Sequence, residues 1–417
     1  MNILIISNVF PPGFIGGYEL GASEIASALA ALGHEVKVLS TDYFTDDHAT
    51  IHELSIERTL ESVMLSHDWP DQVDRQRKSV YINYSNIRRV GSVIRRFRPE
   101  VCLVFNAQGL GVLGLIHFLA DCGIPSILYL MDNIFSGLQT ESADFHVFRL
   151  LMGQLDWSKV RIIAMSQKVM DEVTRTIPAM PQNVTIVPGW IHSHHIDFIT
   201  SPIDAEGPVR FVFSSRVAPH KGTEMIVSAA ETLAARRVPF LIDVFGLGWV
   251  AQFVQQVKSK NLDTHIHYRG GLGKSEMVRT FSEYHALLFP TWEREPFGFV
   301  VSEAAAMGCV PIMTSSIGAS EWFIDGIDCM KIARHADALA DAMYRLVMMA
   351  PSERLGMRVA AMDAARRYLR FDRWLPQIEE VCVEAAATYQ PRTFDQITQV
   401  MTAYLCLGQL WSERRGA

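Results

Sequence analysis

Residues 290–304 read PTWEREPFGFVVSEA, and this stretch contains the strand-to-helix junction from which the fold can be worked out. An apolar run, 286–289, precedes it, and an alanine-rich run follows it. The pattern predicts a buried strand, a loop, and a helix that begins near Gly298. Glu295 then lies in the loop, and Glu303 lies in the body of the helix with seven residues between the two.

The same alternation of strand and helix extends over the rest of the chain. In the second half we predict strands at 209–214, 239–245, 265–268, 286–289 and 310–313, with helices at 222–236, 249–259, 274–282 and 298–307. In the first half we predict strands at 2–7, 36–39, 101–105, 125–130, 161–165 and 184–187, and a helix at about 19–32. Strands separated by helix-length segments pair in parallel, so we expect an α/β fold of two tandem doubly wound domains. Such sheets bind ligands at the carboxyl ends of their strands.

Composition limits the function classes. The 417 residues are 49% hydrophobic and 20% charged, which suits two globular cores, and the net charge of −7 provides no basic excess for nucleic acid. The six cysteines form no Cys-x-x-Cys pair, so we expect reduced, buried thiols in a cytoplasmic protein, without a zinc site or disulfides. No apolar run reaches the roughly 18 residues of a membrane span.

Two groups of charged residues indicate where chemistry occurs. Free N–H groups near Gly298 attract a diphosphate, and Glu295 and Glu303 beside them suit sugar hydroxyls. Arg216 and Lys221 lie five residues apart in the loop after strand 209–214. Arginine can hold two phosphate oxygens while lysine adds a point charge, which suits a diphosphate. Taken singly, each group is also compatible with an ordinary solvated loop.

Together these segments resemble the retaining family-4, or group 1, glycosyltransferases of the GT-B superfamily. The resemblance covers most of the chain and includes the following motifs: Gly16-Gly17, Arg216 with Lys221-Gly222, Gly246 with Gly248, the Glu-x7-Glu pair Glu295/Glu303, Phe297-Gly298 and Asp325-Gly326. It implies a GT-B fold in which two Rossmann-like domains face a central cleft. We expect an acceptor-side domain at 1–198, a donor-binding domain at 205–371, and a segment 372–417 that crosses back to the first.

The resemblance also implies a role for each matching residue. Arg216 and Lys221 would hold the donor diphosphate and stabilise the leaving group, Glu303 would bind the ribose, and Glu295 would contact the donor sugar and act in catalysis. The further donor-binding positions are Gly16, Gly17, Gly246, Leu272, Phe297, Gly298 and Phe299, with Leu272 toward the base. Met131 stands where the family often has a histidine, and it forms with Asp132 a weaker acceptor-side candidate.

The implied reaction transfers a sugar from a UDP- or GDP-sugar to a hydroxyl of a glycan, lipid-linked or small-molecule acceptor, as in polysaccharide biosynthesis. No metal or other cofactor is expected, because the chain lacks Asp-x-Asp and the cluster His192, His194 and His195 has no carboxylate or cysteine close in sequence except Asp197. The segment 44–79 is a candidate acceptor-side insertion.

A helix at 80–97 carries four arginines, Arg88, Arg89, Arg95 and Arg96. They form either a solvated basic face, which we favour, or a peripheral contact with an anionic membrane at its inner face.

Two other enzyme classes stay open at this stage. Gly246-x-Gly248-x-x-Ala251 after a strand is typical of NAD(P)-dependent oxidoreductases, although no acidic residue follows the next strand to bind the ribose. An epimerase or hydrolase of nucleotide sugars with the same fold is the second alternative. A sugar-nucleotide-binding protein without catalysis is the third reading, and the intact charged groups argue against it.

Overall fold

The computed structural model describes residues 1–13, 16–43, 54–62, 81–136, 138, 141–153, 155–178, 180, 184–191 and 207–415. The chain divides into two compact units, which are Met1–Val187 with Trp374–Ala417 (unit 1) and Pro188–Arg373 (unit 2). The histidines His192, His194 and His195 and most of the segment 44–79 lie outside the described residues.

Unit 1 contains a parallel sheet with the strand order β3-β2-β1-β4-β5-β6-β7. Its strands are β1 (Asn2–Ile6), β2 (Glu35–Ser40), β3 (Ser55–Arg58), β4 (Val101–Val104), β5 (Ser126–Leu130), β6 (Val160–Ala164) and β7 (Val184–Ile186). The helices between them are α1 (Gly17–Ala31), α2 (Tyr84–Phe97), α3 (Val112–Asp121), α4 (Ala143–Met152) and α5 (Gln167–Thr176). Strands β1 and β4 are fully buried apart from Asn2, as expected for a sheet covered on both faces.

Unit 2 contains a second parallel sheet with the order β10-β9-β8-β11-β12-β13. Its strands are β8 (Val209–Ser214), β9 (Phe240–Phe245), β10 (Ile266–Gly270), β11 (Ala286–Phe289), β12 (Val310–Thr314) and β13 (Met330–Ile332). The helices are α6 (Thr223–Ala235), α7 (Val250–Ser259), α8 (Lys274–Thr280), α9 (Phe299–Ala306), α10 (Ala336–Met348) and α11 (Pro351–Tyr368). The strand order changes direction between β8 and β11, and such switch points are where open α/β sheets bind ligands. The prediction of two doubly wound α/β domains is confirmed.

The chain enters unit 2 at Pro188, before residue 198, where the first domain was predicted to end. Trp190 is fully buried and packs its ring 4.9 Å from that of Phe371. The N–H of Ile191 donates a 2.9 Å hydrogen bond to the carbonyl of Leu369. These contacts explain why residues 188–191 belong to unit 2.

The C-terminal residues return to unit 1 through α12 (Phe371–Ala386) and α13 (Phe394–Arg415). The Tyr404 hydroxyl donates a 2.7 Å hydrogen bond to Asp121 at the end of α3, and its ring packs edge-on against Phe118. On the same helix Cys406 is exposed, so the prediction that all thiols are buried is wrong there, while the other five cysteines are buried. Among the described helices, none combines the length and apolar composition needed to cross a bilayer.

One buried polar network stabilises the sheet of unit 2. Asp243 in β9 is 3% exposed and accepts hydrogen bonds from the Tyr284 hydroxyl (2.8 Å) and from Arg269 (2.8 Å), with Arg210 at 3.3 Å. Burial acts to raise the pKa of Asp243, but these hydrogen bonds and the Arg269 charge outweigh it and hold the pKa below its ordinary value. The network is therefore a stabilising ionic cluster.

Candidate active site

Four loops meet at the carboxyl edge of the sheet in unit 2, because they follow the neighbouring strands β8, β9, β10 and β11. The N–H of Val217 in the first loop donates a 2.8 Å hydrogen bond to the carbonyl of Leu247 in the second. The N–H of Trp292 in the fourth loop donates a 2.9 Å hydrogen bond to the carbonyl of His220 in the first. Main-chain hydrogen bonds therefore connect the loops that form the site.

The glycine pair after β9 has a packing role. A Cβ on Gly246 would lie 1.9 Å from the carbonyl oxygen of Ser215, and the φ of Gly246 is +137°. Only glycine fits there without moving the loop. In addition, Arg269 and Gly270 end β10, where a dinucleotide site needs a carboxylate for the ribose. The resemblance of this stretch to a dinucleotide fingerprint is thus explained by loop packing.

Three of the predicted donor-binding residues line one cavity of about 260 Å³. Arg216 comes from the loop after β8, Gly246 from the loop after β9, and Leu272 from the loop after β10. Ligand sites in proteins usually measure about 300–1,000 Å³, so this cavity suits one part of a ligand, such as a nucleoside.

Lys221 and Glu295, which sequence placed in separate groups, form an ion pair in the structure. Their side chains are 19% and 14% exposed, so the pair is largely withdrawn from solvent. The Thr291 hydroxyl donates a 3.2 Å hydrogen bond to the same carboxylate oxygen of Glu295. Lys221, which was predicted to bind the diphosphate, therefore lies directly beside Glu295, which was predicted to contact the donor sugar.

The surroundings of Lys221 are electropositive. Arg334 donates a 3.2 Å hydrogen bond to the carbonyl of Pro219 and so brings a further cation to this loop. Burial, followed by the charges of Lys221 and Arg216, lowers the pKa of His220, while Glu295 opposes the shift. A neutral imidazole among several cations indicates a positive field suited to phosphate groups.

Glu303 lies on α9 with its side chain 10% exposed. Its Oε1 atom is buried and accepts no hydrogen bond within the described part of the chain, although the Lys274 ammonium lies 3.4 Å away. Buried carboxylate oxygens are normally satisfied by donors, so this atom is available to ligand hydroxyls. Lys274, the first residue of α8, was not predicted from sequence.

Helix α9 begins as predicted, with Gly298 as its N-cap at a φ of +96°. A Cβ there would lie 2.7 Å from the ring of Phe289, and no side chain caps the helix. Phe297 is 1% exposed, and its carbonyl accepts a 3.1 Å hydrogen bond from Ala319, so that carbonyl serves the fold. Phe299 is the first helical residue and half-buried.

The predicted residues of unit 1 are joined by a tyrosine that sequence did not reveal. Gly16 is the N-cap of α1 and Gly17 its first residue. The Tyr18 hydroxyl accepts 2.8 Å hydrogen bonds from the N–H groups of both Met131 and Asp132. Tyr18 thereby fixes the glycine loop to the Met131–Asp132 segment, in which the Met131 side chain is 3% exposed.

Across the residues that the structure describes, no group of three or more His, Cys, Asp or Glu side chains is arranged to hold a metal ion.

Two family models together match most of the chain. The model for a "Glycosyl transferase 4-like domain" matches residues 16–190, and the model for "Glycosyl transferases group 1" matches residues 198–358. This chain is a group 1 glycosyltransferase.

Individual relatives agree with this assignment of the family. The glycogen synthase of Mycobacterium tuberculosis is 24% identical over 334 residues, which cover 76% of this chain and 78% of that protein. An uncharacterized glycosyltransferase of Methanocaldococcus jannaschii is 20% identical over 335 residues, covering 76% and 81%.

Solved structures show that the group 1 enzyme has the GT-B fold. Sucrose-phosphate synthase from Thermosynechococcus elongatus superposes with a TM-score of 0.71 at 14% identity, covering 93% of this chain and 99% of that one. Anabaena Alr3699/HepE in complex with UDP and glucose superposes with a TM-score of 0.65 at 17% identity, covering 92% and 100%.

Proposed function

We propose that this glycosyltransferase transfers a sugar from a UDP- or GDP-sugar to a hydroxyl of a glycan, lipid-linked or small-molecule acceptor. The transfer retains the anomeric configuration and needs no metal ion. The observation that carries the proposal is the buried Oε1 atom of Glu303, which accepts no hydrogen bond within the described chain. Glu303 lies on α9, the helix that follows the loop carrying Glu295, and the cavity at Arg216 lies in the neighbouring loops of the same sheet edge.

The nucleoside part of the donor is held by the cavity and by Glu303. Leu272 offers an apolar wall for the base, and the Glu303 carboxylate accepts hydrogen bonds from the ribose hydroxyls. Each such bond to a charged group contributes about 1.5–3 kcal/mol. The start of α9 at Gly298 supplies the partial positive charge of a helix N-terminus for the phosphates.

The charges that develop during transfer give Lys221 and Glu295 separate roles. When the bond between the anomeric carbon and the diphosphate oxygen breaks, its electron pair leaves with the diphosphate. Arg216 and Lys221 stabilise that negative charge, as fixed donors do in other active sites. Glu295 faces the sugar, whose anomeric carbon gains positive charge. The acceptor oxygen forms the new bond to that carbon, and its proton passes to the departing diphosphate, which has taken the electron pair. Retention follows from the resemblance to retaining members of the family.

The similar proteins suggest which donor to test first. The Anabaena structures contain UDP, UDP with glucose, or UDP-glucose, and one sequence relative is a glycogen synthase. We therefore place UDP-glucose first and GDP-sugars second.

The test is a screen of UDP-, GDP-, ADP- and TDP-sugars against glycan, lipid and small-molecule acceptors, with product mass detection. Proton NMR couplings then give the anomeric configuration of the first-formed product, and an α-linked product from an α-linked donor is expected. A β-linked product contradicts retention. Free sugar as the sole product indicates a nucleotide-sugar hydrolase, and an isomerised donor indicates an epimerase.

The arginines of α2 bear on the proposal of peripheral membrane contact at the inner face. Arg89 forms an ion pair with Glu61, and Arg96 forms one with Glu57 at 3.2 Å. Arg95 lies over the ring of Phe394 at 4.7 Å. Because three of the four charges already have partners in unit 1, the structure supports the solvated, ion-paired face over the membrane contact.

A further inference from the structure

A second cavity lies in unit 1, between α3 and α4. Its volume is about 380 Å³, within the range of sites that bind small molecules. Gly153, Leu155 and Trp157, together with residues at the end of α5, close it. Its apolar wall is formed by Leu113, Phe145, Phe148, Leu155, Trp157 and Ile177. None of these residues is among those predicted to bind the donor.

A buried histidine lines this cavity. His117 is 8% exposed on the otherwise apolar helix α3, and its ring packs edge-on against Phe148 at 5.8 Å. Within the described chain neither ring nitrogen makes a hydrogen bond. Burial lowers the pKa of His117 against the opposing charge of Asp121, so the ring is neutral at pH 7, with one nitrogen as donor and one as acceptor. A ring nitrogen without a protein partner on the cavity wall is available to a ligand hydroxyl.

Trp157 adds a second polar atom to the aromatic wall. Its ring is half-buried, and its indole N–H has no hydrogen-bond acceptor among the residues that the structure describes. Exposed Glu141, His146 and Arg149 lie around the rim of the same cavity. The cavity thus combines aromatic surfaces with hydrogen-bonding groups at several points of its wall.

We propose that this cavity is a second carbohydrate-binding site, which holds a neutral sugar ring or one unit of a glycan chain. A pyranose presents an apolar C–H face that packs on aromatic rings, and hydroxyls that pair with His117 and the Trp157 N–H. An alkyl chain would fill the apolar wall but leave both polar groups without partners. The rim has charges of both signs, so it does not select an anion. The site is independent of the proposed donor reaction.

The experiment uses the full chain saturated with UDP, which keeps any donor site occupied. Maltotriose, cellotriose and chitotriose are titrated by calorimetry and by saturation-transfer NMR. We expect at least one trisaccharide to bind, with Trp157→Ala and His117→Gln each weakening binding at least 10-fold. Leu150→Ala is the matched control, because Leu150 lies on the same helix α4, is 83% exposed and does not line the cavity.

Thermal unfolding and UDP affinity, measured on each variant, verify that the fold and unit 2 are intact. UDP affinity is expected to be equal in all four proteins, which separates this site from the donor site. The proposal is overturned if no trisaccharide binds, if Trp157→Ala and His117→Gln bind as tightly as the wild type, or if only an alkyl probe such as decanoate binds in a Trp157-dependent way.

Discussion

Replacing Glu303 by glutamine tests the donor site where the structure is most specific. The Glu303 side chain is 10% exposed, its Oε1 accepts no hydrogen bond within the described chain, and Lys274 lies 3.4 Å away. Glutamine keeps the shape and one acceptor oxygen but removes the charge, and it presents an amide donor where the ribose needs an acceptor. Losing such a partner costs about 1–3 kcal/mol, or roughly 5- to 150-fold in the dissociation constant of UDP.

The same substitution should leave the fold intact. The Lys274 side chain is 38% exposed, so its ammonium can turn to solvent when the carboxylate is gone. The glutamine side chain also has no charge to desolvate, which offsets the lost ion pair. We therefore expect a Tm within about 3 °C of the wild type, since about 1 kcal/mol moves the Tm of a domain of this size by roughly 2–4 °C. Because ribose contacts change little during transfer, KM should rise more than kcat falls.

Calorimetry with UDP and with GDP, combined with steady-state kinetics and thermal unfolding, measures all these quantities. Glu293→Gln is the matched control, because Glu293 is exposed in the loop that precedes α9 and the variant is expected to keep wild-type affinity. Unchanged nucleotide affinity in Glu303→Gln, or a weakened affinity that is explained by a large fall in Tm, would refute the reasoning.

Three further predictions follow from other contacts. Glu295→Gln should bind UDP almost normally but turn over about 100-fold more slowly, because the charge matters most in the transition state; lost affinity with normal kcat would contradict this. Asp243→Asn should lower the free energy of unfolding by about 1–3 kcal/mol at pH 7. The folded-state pKa of Asp243 is depressed, so the difference in unfolding free energy between wild type and Asp243→Asn should be constant from about pH 5 to 8. It should disappear as the pH falls below about 4, where the carboxylate is protonated. A difference that persists at low pH in denaturant titrations would refute this. Reversing the four arginines of α2 to glutamate should lower stability without changing sedimentation with anionic vesicles; lost sedimentation would support the membrane contact.

The strands with the clearest pattern, such as β4 with the sequence VCLV, are runs of apolar residues bounded by loop residues. Strand β11, with the sequence ALLF, is buried throughout and could be predicted from its composition. The short edge strands β3 (SIER) and β13 (MKI) were missed because charged residues interrupt them, whereas the equally short edge strand β7 (VTI) has none and was predicted. A strand paired on one side needs fewer apolar residues and so leaves a weaker pattern.

The candidate site was predictable as far as local sequence determines it. Glu295 and Glu303 could be placed on a loop and a helix because the strand and the helix start are local features. The pairing of Lys221 with Glu295 joins residues 74 positions apart, and that of Tyr18 with Met131 joins residues 113 apart. Such contacts depend on how the sheet brings loops together, which a single sequence does not reveal.

We propose that Arg216 and Lys221 stabilise the departing nucleotide diphosphate in place of a metal ion. The most direct measurement is the rate at which nucleotide diphosphate and glycosylated product form together in EDTA, with wild type compared with an Arg216→Ala/Lys221→Ala double variant. We expect equimolar products from the wild type in EDTA. We also expect a rate at least about 100-fold lower in the double variant, as when other transition-state donors are removed. Strict dependence on magnesium or manganese, or an undiminished rate in the double variant, would contradict the claim.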